Sequence, residues 1–326
     1  MLRIYPIWKS SIRALILCLP AVILGLFLGC SGDSDYKHID FSKTISVKQP
    51  DSQVTEPGLL RVAVAAMISP KETFVYYKEL LDYLGTKAGY SVQLIQRKTY
   101  GEINELFLNR RIDLAFICTG PYATGKKKYG FEGLATPVVR GEPYYQSYLI
   151  VNKNSQFRGI QDLRDRIFAF TDPESNTGSL VPRYWLSEMG ETPESFFRKV
   201  TYTYSHDNSI LAVAKNLVGG ATVDGHKWEY YNLRNPVHTS MTRVIKKSEL
   251  FGGPPLVVSS LLPEQLIQQL RNIIFSMHKD PVGRRILNEL MIDRFVGLKE
   301  EWYEPVRRMI QTVQKHGNSI YATEKS

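Results

Sequence analysis

The sequence is short of the features that mark most enzymes and scaffolds. It holds three cysteines in 326 residues, too few for a disulfide-stapled miniprotein. Its six histidines are scattered, with no H-E-x-x-H and no Cys/His cluster, so a zinc centre has no support and no metal or cofactor is expected. No G-x-S-x-G elbow marks a nucleophile, no internal repeat marks a solenoid and no low-complexity tract marks a fibre. The longest apolar run, residues 14–28, falls short of the roughly 20 residues a membrane-spanning helix needs. Basic clusters such as Lys126-Lys127-Lys128 and Lys246-Lys247 occur without any RNP, helix-turn-helix or finger pattern. They read as solvated faces and not as a nucleic-acid surface.

What is present is an ordinary globular composition, 43% hydrophobic and 22% charged, long enough for two domains. The net charge of +9 leaves nucleic acid, an anionic membrane and a small anionic ligand open as partners. Arg3, Lys9 and Arg13, then the uncharged run, then Gly29-Cys30, have the order of an export signal over residues 1–29. Phe27-Leu28-Gly29-Cys30 resembles a lipobox, which implies that Cys30 is lipidated and holds the protein at a membrane surface. Loss of residues 1–29 would leave +6 on 297 residues. Cys118 is then the only free thiol, expected to be a small buried hydrophobe. Residues 30–58 are polar and aperiodic and read as a linker.

From Leu59 the pattern alternates between strand and helix. Strands are expected at 59–65, 91–96, 113–117, 134–139 and 144–153, with helices over 70–87 and 100–109 and a short basic helix ending at Tyr129. The rhythm then restarts, with strands at 167–172 and 199–205, helices at 179–189 and 207–217, an apolar run at 255–262 and a helical tail to about 316. This predicts an α/β protein with largely parallel sheets in two lobes, residues 59–148 with 250–326 and residues 149–249. Ligands of such folds sit in the cleft beyond the strand ends.

Three segments carry candidate chemistry. Ser175-Asn176-Thr177-Gly178 joins a strand to a helix, where unpaired N–H groups and hydroxyl and amide side chains build an oxyanion site; the same residue types also serve as a plain helix cap. Ser205-His206-Asp207-Asn208 is a second such junction, with His206 able to donate an imidazole N–H. Gly120 to Lys126 matches G-x₄-G-K, but Lys127 stands where a P-loop needs Ser or Thr, so a binding loop with Thr119 and Tyr122 is expected there.

Taken together, residues 59–291 resemble the phosphate/phosphite/phosphonate-binding family of ABC-transporter substrate-binding proteins, which have the type II periplasmic-binding fold. The most specific part is Asp172-Pro173-Glu174-Ser175-Asn176-Thr177-Gly178 with Leu180-Val181-Pro182 after it, where the family reads D-P-x-S-T-S-G. The resemblance implies that Ser175, Asn176 and Thr177 grip a phosphorus oxoanion, Asn176 replacing a hydroxyl by an amide. It implies that His206 contacts the same ligand. In Gly219 to Asp224 the family's V-D-A-A-x-x-D has lost its first acid, leaving Asp224 as the ligand-facing carboxylate. Asp224 can accept from a protonated phosphonate but would repel sulfate. Tyr122 and Tyr76 fall where the family places ligand-facing groups on the first lobe. The loop at Phe251-Gly252-Gly253-Pro254-Pro255 lacks the acid found with amine-bearing ligands, which favours phosphate, phosphite or a simple alkylphosphonate over 2-aminoethylphosphonate. The implied protein is a monomeric, non-enzymatic binding lipoprotein on the outer face of a bacterial membrane, with an ABC permease and its ATPase as partners. A sensor for a membrane kinase and an exported hydrolase built on His206 are the alternatives.

Overall fold

The computed structural model describes residues 58–65 and 70–323, with side chains at 58–65 and 77–317. The calls on residues 1–29, on Cys30 and on most of the linker lie outside the described residues. The Val-rich run at Leu59 forms β1 (Leu59–Val64), and the apolar spacing after Pro70 forms α1 (Pro70–Ala88). β2 (Ser91–Gln96), α2 (Tyr100–Leu108), β3 (Leu114–Phe116), α3 (Thr119–Tyr129) and β4 (Phe131–Val138) follow. α2 begins at Thr99, whose side chain accepts from the Glu102 N–H while Glu102 accepts from the Thr99 N–H. This reciprocal cap pins the first turn of α2 at the carboxyl end of β2.

The expected long strand at 144–153 is broken at Gln146 into β5 (Tyr144–Tyr145) and β6 (Ser147–Asn152), and only β6 joins the second sheet. There follow β7 (Ile167–Phe170), α4 (Val181–Ser187), α5 (Pro193–Phe196), β8 (Lys199–Tyr202), α6 (His206–Ala214), β9 (Gly220–Asp224), α7 (Gly225–Arg234) and β10 (Thr242–Lys247). β11 (Phe251–Gly252) pairs with β5, and the chain returns through β12 (Leu256–Ser259), α8 (Glu264–Ser276), α9 (Pro281–Glu289), β13 (Arg294–Val296) and α10 (Glu304–Thr323). β9 and β10 were not anticipated, because each sits beside glycine or charge that masks its alternation.

The first sheet has the order β13-β4-β12-β3-β1-β2 and the second β10-β6-β9-β7-β8. Both are mixed and not largely parallel. β1 is parallel to β2 and β3, and β7 to β8 and β9, whereas β12, β13, β6 and β10 run antiparallel to their neighbours. The two-stranded β5–β11 ribbon carries the chain out of the first sheet and back. The parallel strands end on the same polar region, β3 leading to Thr119, β7 to Thr171 and β9 to Asp224.

Each sheet has its own core. Leu80, Leu84, Leu256, Ile267 and Leu270 pack on one face of the first, and Phe168, Phe170, Phe196 and Trp185 on one face of the second. Each such large side chain contributes roughly 1.5–3 kcal/mol by leaving water. α10, counted with the first lobe on sequence, adds Val306 and Met309 to the core of the second sheet. Its apolar face meets Val181 and Trp185 of α4, which no local pattern could announce.

Candidate functional site

The junction after β7 is held by main-chain and side-chain bonds that leave specific groups over. Ser175 Oγ accepts from the Gly178 N–H at 3.0 Å and its carbonyl accepts from the Leu180 N–H at 2.9 Å. The Gly178 carbonyl accepts from the Thr171 N–H at 3.0 Å, and Ser147 Oγ donates to the Thr177 carbonyl at 2.7 Å. The expected helix from 179 therefore opens with a wide turn over Asn176–Leu180 before α4 begins. Gly178 is required here, since a Cβ would lie 2.2 Å from Thr171 Oγ1. Ser175 is thus a cap, but capping uses only its lone pair and leaves its O–H proton available. Thr177 Oγ1 and Asn176 Oδ1 are buried and have no hydrogen-bond partner. Leaving such groups unmet costs about 1–3 kcal/mol each, a cost a ligand removes.

His206 opens α6 and is buried, with Nδ1 3.2 Å from the Asp224 N–H it accepts from. Burial pushes its pKa down to about 4, against a smaller opposing pull from Asp224. The ring is therefore neutral near pH 7, and because Nδ1 is the acceptor the proton sits on Nε2, a donor. Tyr204, with φ of 59°, turns the chain between β8 and α6; its left-handed backbone shortens the expected strand at 199–205. Asp224 caps α7 by accepting from the Lys227 N–H at 3.1 Å. Its charge is felt by Tyr100, Cys118, Tyr145, His206 and His226, so it lies among them.

From the first sheet come Tyr100, Cys118 and Thr119, with Tyr145 from the ribbon. The Tyr100 hydroxyl is buried and has no partner, and Tyr145 OH accepts from Asn176 Nδ2 at 3.1 Å. Because a tyrosine hydroxyl can also donate, the Asn176 amide can turn round, accept from Tyr145 and present its NH₂ to an anion. Burial pushes the Cys118 thiol up to about 11, which keeps it protonated. Thr119 is buried beside the cluster, but its hydroxyl donates to the Gly252 carbonyl at 2.9 Å and holds the ribbon in place.

Tyr122 is the correction. Its ring lies 4.4 Å from that of Tyr303 in the core of the first sheet, and its hydroxyl donates to Glu300 Oε1 at 2.8 Å. The segment Gly120 to Lys126 is part of α3, whose third residue on, Tyr122, is carried round to the core side; no phosphate-cradling loop forms. The Tyr76 side chain lies outside the described residues.

The two sheets meet around this cluster. The Tyr100 N–H donates to Asp172 Oδ2 at 3.1 Å and Asn104 to Glu174 Oε2 at 2.8 Å. Lys98 lies 4.2 Å over the Tyr204 ring, and Arg140 pairs with Glu229 at 2.6 Å. A Cβ on Gly120 would lie 2.4 Å from the Glu174 carbonyl oxygen. Only a glycine allows the backbones to come this close.

Residues 62–303 match the protein-family profile described as the periplasmic substrate-binding protein of phosphonate ABC transporters. The chain belongs to this family. The family is a class of transport binding proteins and not an enzyme class. The phosphonates-binding periplasmic protein of Escherichia coli K12 is 29% identical over 178 residues, 53% of this chain and 52% of its own. The probable ABC transporter phosphite binding protein PhnD1 of Prochlorococcus marinus MIT 9301 is 24% identical over 189 residues, 52% of this chain and 62% of its own. The chain thus spans about half to three-fifths of the curated relatives it matches. In fold it is similar to a binding protein component of an ABC phosphonate transporter from Pseudomonas aeruginosa, with TM-score 0.75, 24% identity and coverage of 79% of this chain and 87% of that one. It is also similar to PhnD1 in complex with methylphosphonate, with TM-score 0.71, 20% identity and coverage of 80% and 100%.

Within this phosphonate-binding family chain, sequence reasoning found the second-sheet half of the cluster and missed most of the other half. Tyr100 and Tyr145 carry one available signal, aromatic residues at the ends of strand patterns, but aromatics of that kind are common in cores. His226 and Lys227 lie two and three residues beyond Asp224, past the end of the family pattern, so nothing in the sequence singles them out. Among the described residues no group of three or more His, Cys, Asp or Glu side chains could hold a metal, and no helix is long and apolar enough to cross a membrane.

Proposed function

We propose that this chain is an extracytoplasmic solute-binding protein that captures a phosphonate or a related phosphorus oxoanion, phosphate or phosphite, between two α/β lobes and delivers it to an ABC importer. The lobes are read as residues 59–148 with 250–326 and residues 149–249, with α10 lying across both. A lipid on Cys30 would keep the protein at the membrane as a monomer beside its permease.

The observation that carries the reading is the buried turn at Ser175–Thr177, where Thr177 Oγ1 and Asn176 Oδ1 lack partners beside Ser175, His206 and Tyr100. Ser175, Thr177, Tyr100 and Nε2 of His206 are donors suited to phosphorus-bound oxygens, and the Asn176 amide adds its NH₂ once turned. Asp224 supplies the acceptor for the one proton that a hydrogen phosphonate or hydrogen phosphate keeps and sulfate lacks. Methylphosphonate in the related PhnD1 structure supports this ligand class. Closure about the β5–β11 ribbon is the motion the architecture allows, since those are the strands joining the sheets.

Titration calorimetry of residues 31–326 against phosphate, phosphite, methylphosphonate and sulfate tests the reading. Binding of at least one phosphorus oxoanion with sulfate excluded is expected. Absence of heat with all four removes the ligand class.

A further inference from the structure

A cavity opens beside Asp224, lined by Tyr77, Phe116, Pro254 and Phe295 from the first sheet's side and by His226 and Lys227 at the start of α7. Its walls are apolar and aromatic except where α7 enters, so an organic group continuing from an oxoanion at Ser175–Thr177 would run into it past Asp224. The polar groups at its end differ in how far they are already engaged. Glu229 accepts from Tyr148 OH at 2.6 Å and pairs with Arg140 at 2.6 Å. Asp224 accepts the main-chain N–H of Lys227 at 3.1 Å with one oxygen, and the proposed function assigns the other to the oxoanion. Lys227 is half-buried, and among the described residues no carboxylate comes within ion-pair distance of its ammonium. Burial works against that charge, but Tyr77, Asp224 and Tyr230 outweigh it and raise the pKa, so the group stays an ammonium at neutral pH.

The geometry points to Lys227 as a specificity-determining residue: the cavity takes the substituent of a phosphonate, and Lys227 selects a substituent ending in a carboxylate over one ending in an ammonium. This rests on the phosphorus-oxoanion reading and adds the class of ligand. An unpaired, partly desolvated ammonium gains most from an anion, whereas a second ammonium in the same low-dielectric cavity would be repelled. Asp224 does not reverse the preference, because both of its oxygens have work at the helix cap and the oxoanion.

The experiment compares three ligands of similar size, phosphonoacetate, ethylphosphonate and 2-aminoethylphosphonate, by calorimetry on the native chain and on Lys227→Met and Lys227→Arg. Phosphonoacetate should bind about tenfold more tightly than ethylphosphonate, the gain expected of one charge-assisted contact, and 2-aminoethylphosphonate more weakly than both. Lys227→Met should collapse the first ratio to near one and Lys227→Arg should keep it. Each ratio is taken within one protein, so a change in the folded fraction does not affect it. Equal or tighter binding of 2-aminoethylphosphonate than of phosphonoacetate by the native chain overturns the proposal, as does a ratio unmoved by Lys227→Met. Ethylphosphonate bound without tail discrimination sinks this inference and leaves the oxoanion reading standing. If all three ligands fail along with phosphate, phosphite and methylphosphonate, the oxoanion reading falls and the inference with it.

Discussion

Two strand-to-helix junctions face each other across the cluster, and they look alike in sequence. Cys118-Thr119-Gly120-Pro121-Tyr122 follows β3, and Ser175-Asn176-Thr177-Gly178-Ser179 follows β7. Both are buried, both contain hydroxyls and a glycine, and both open helical segments. They differ in what is left over. At the first, the Thr119 hydroxyl donates to Gly252 and the Tyr122 hydroxyl to Glu300. At the second, local bonds fix the backbone while Thr177 Oγ1 and Asn176 Oδ1 stay without partners. What sets the second junction apart is unengaged polar groups on a backbone held by local bonds, and not the presence of polar residues. The first junction builds the frame, and the second keeps the groups that the proposed function assigns to the ligand.

The sharpest way to break this contrast is paired mutation. Ser175→Ala with Thr177→Ala should weaken binding of the phosphorus oxoanion by ~2–4 kcal/mol, from two charge-assisted bonds at ~1–2 kcal/mol each. Thr119→Val should leave affinity within about threefold and lower thermal stability instead, since a buried hydrogen bond is worth about 1 kcal/mol. Calorimetry and melting curves on both proteins decide it. Equal losses of affinity would erase the distinction.

His206 offers the next test, on the side with the unengaged groups. Its folded pKa of about 4 lies below the unfolded value of 6.5. The unfolded chain therefore binds a proton that the folded chain refuses as pH falls between those values. Stability should drop by ~3 kcal/mol across that window and level off below it. Denaturant titrations at a series of pH values should show the slope in the native protein and a flatter profile in His206→Gln. A slope unchanged by the substitution would place the acid sensitivity elsewhere.

The same contrast explains what the sequence could reveal. Strand and helix positions were readable for β1, β2, β3, β7, α1, α2 and α6, where apolar periodicity is strong and caps such as Thr99 and Ser205 mark the starts. Ser175, Thr177 and His206 stand out because they lie in short junctions with recognisable chemistry, and Asp224 only because the family resemblance points to it. The resemblance points to Tyr122 and not to Tyr100, and the fold reverses the two, because three residues along α3 rotate the Tyr122 hydroxyl toward Glu300 while the start of α2 leaves the Tyr100 hydroxyl unpartnered. The passage of α10 onto the second sheet and the mixed strand directions depend on contacts between segments far apart in sequence, which periodicity does not encode.

Gly120→Ala probes the meeting of the two junctions. The added Cβ would lie 2.4 Å from the Glu174 carbonyl oxygen, a backbone atom that cannot rotate away. The sheets would have to part slightly, at a cost of about 1–3 kcal/mol. Because the clash exists only when the two sides touch, affinity should fall roughly tenfold or more while the melting temperature of the ligand-free protein changes little. A large drop in ligand-free stability with unchanged affinity would show that the contact belongs to folding and not to closure.

The smallest expected effect is the most pointed. In Tyr122→Phe the ring still packs on Tyr303, and only the bond to Glu300 is lost. Lys126 and Arg307 continue to donate to Glu300, at 2.6 and 2.7 Å, so the carboxylate does not become an orphan. Loss of the hydroxyl should therefore cost about 0.5–1 kcal/mol of stability and no affinity, read by denaturation and calorimetry on the same preparation. Tyr100→Phe removes the same atom from the start of α2, where no protein partner uses it, and should do the reverse: stability preserved or slightly raised, and affinity for the oxoanion reduced several-fold. If the two tyrosines behave alike, the state of their hydroxyls does not separate frame from site, and the distinction between the two junctions fails with it.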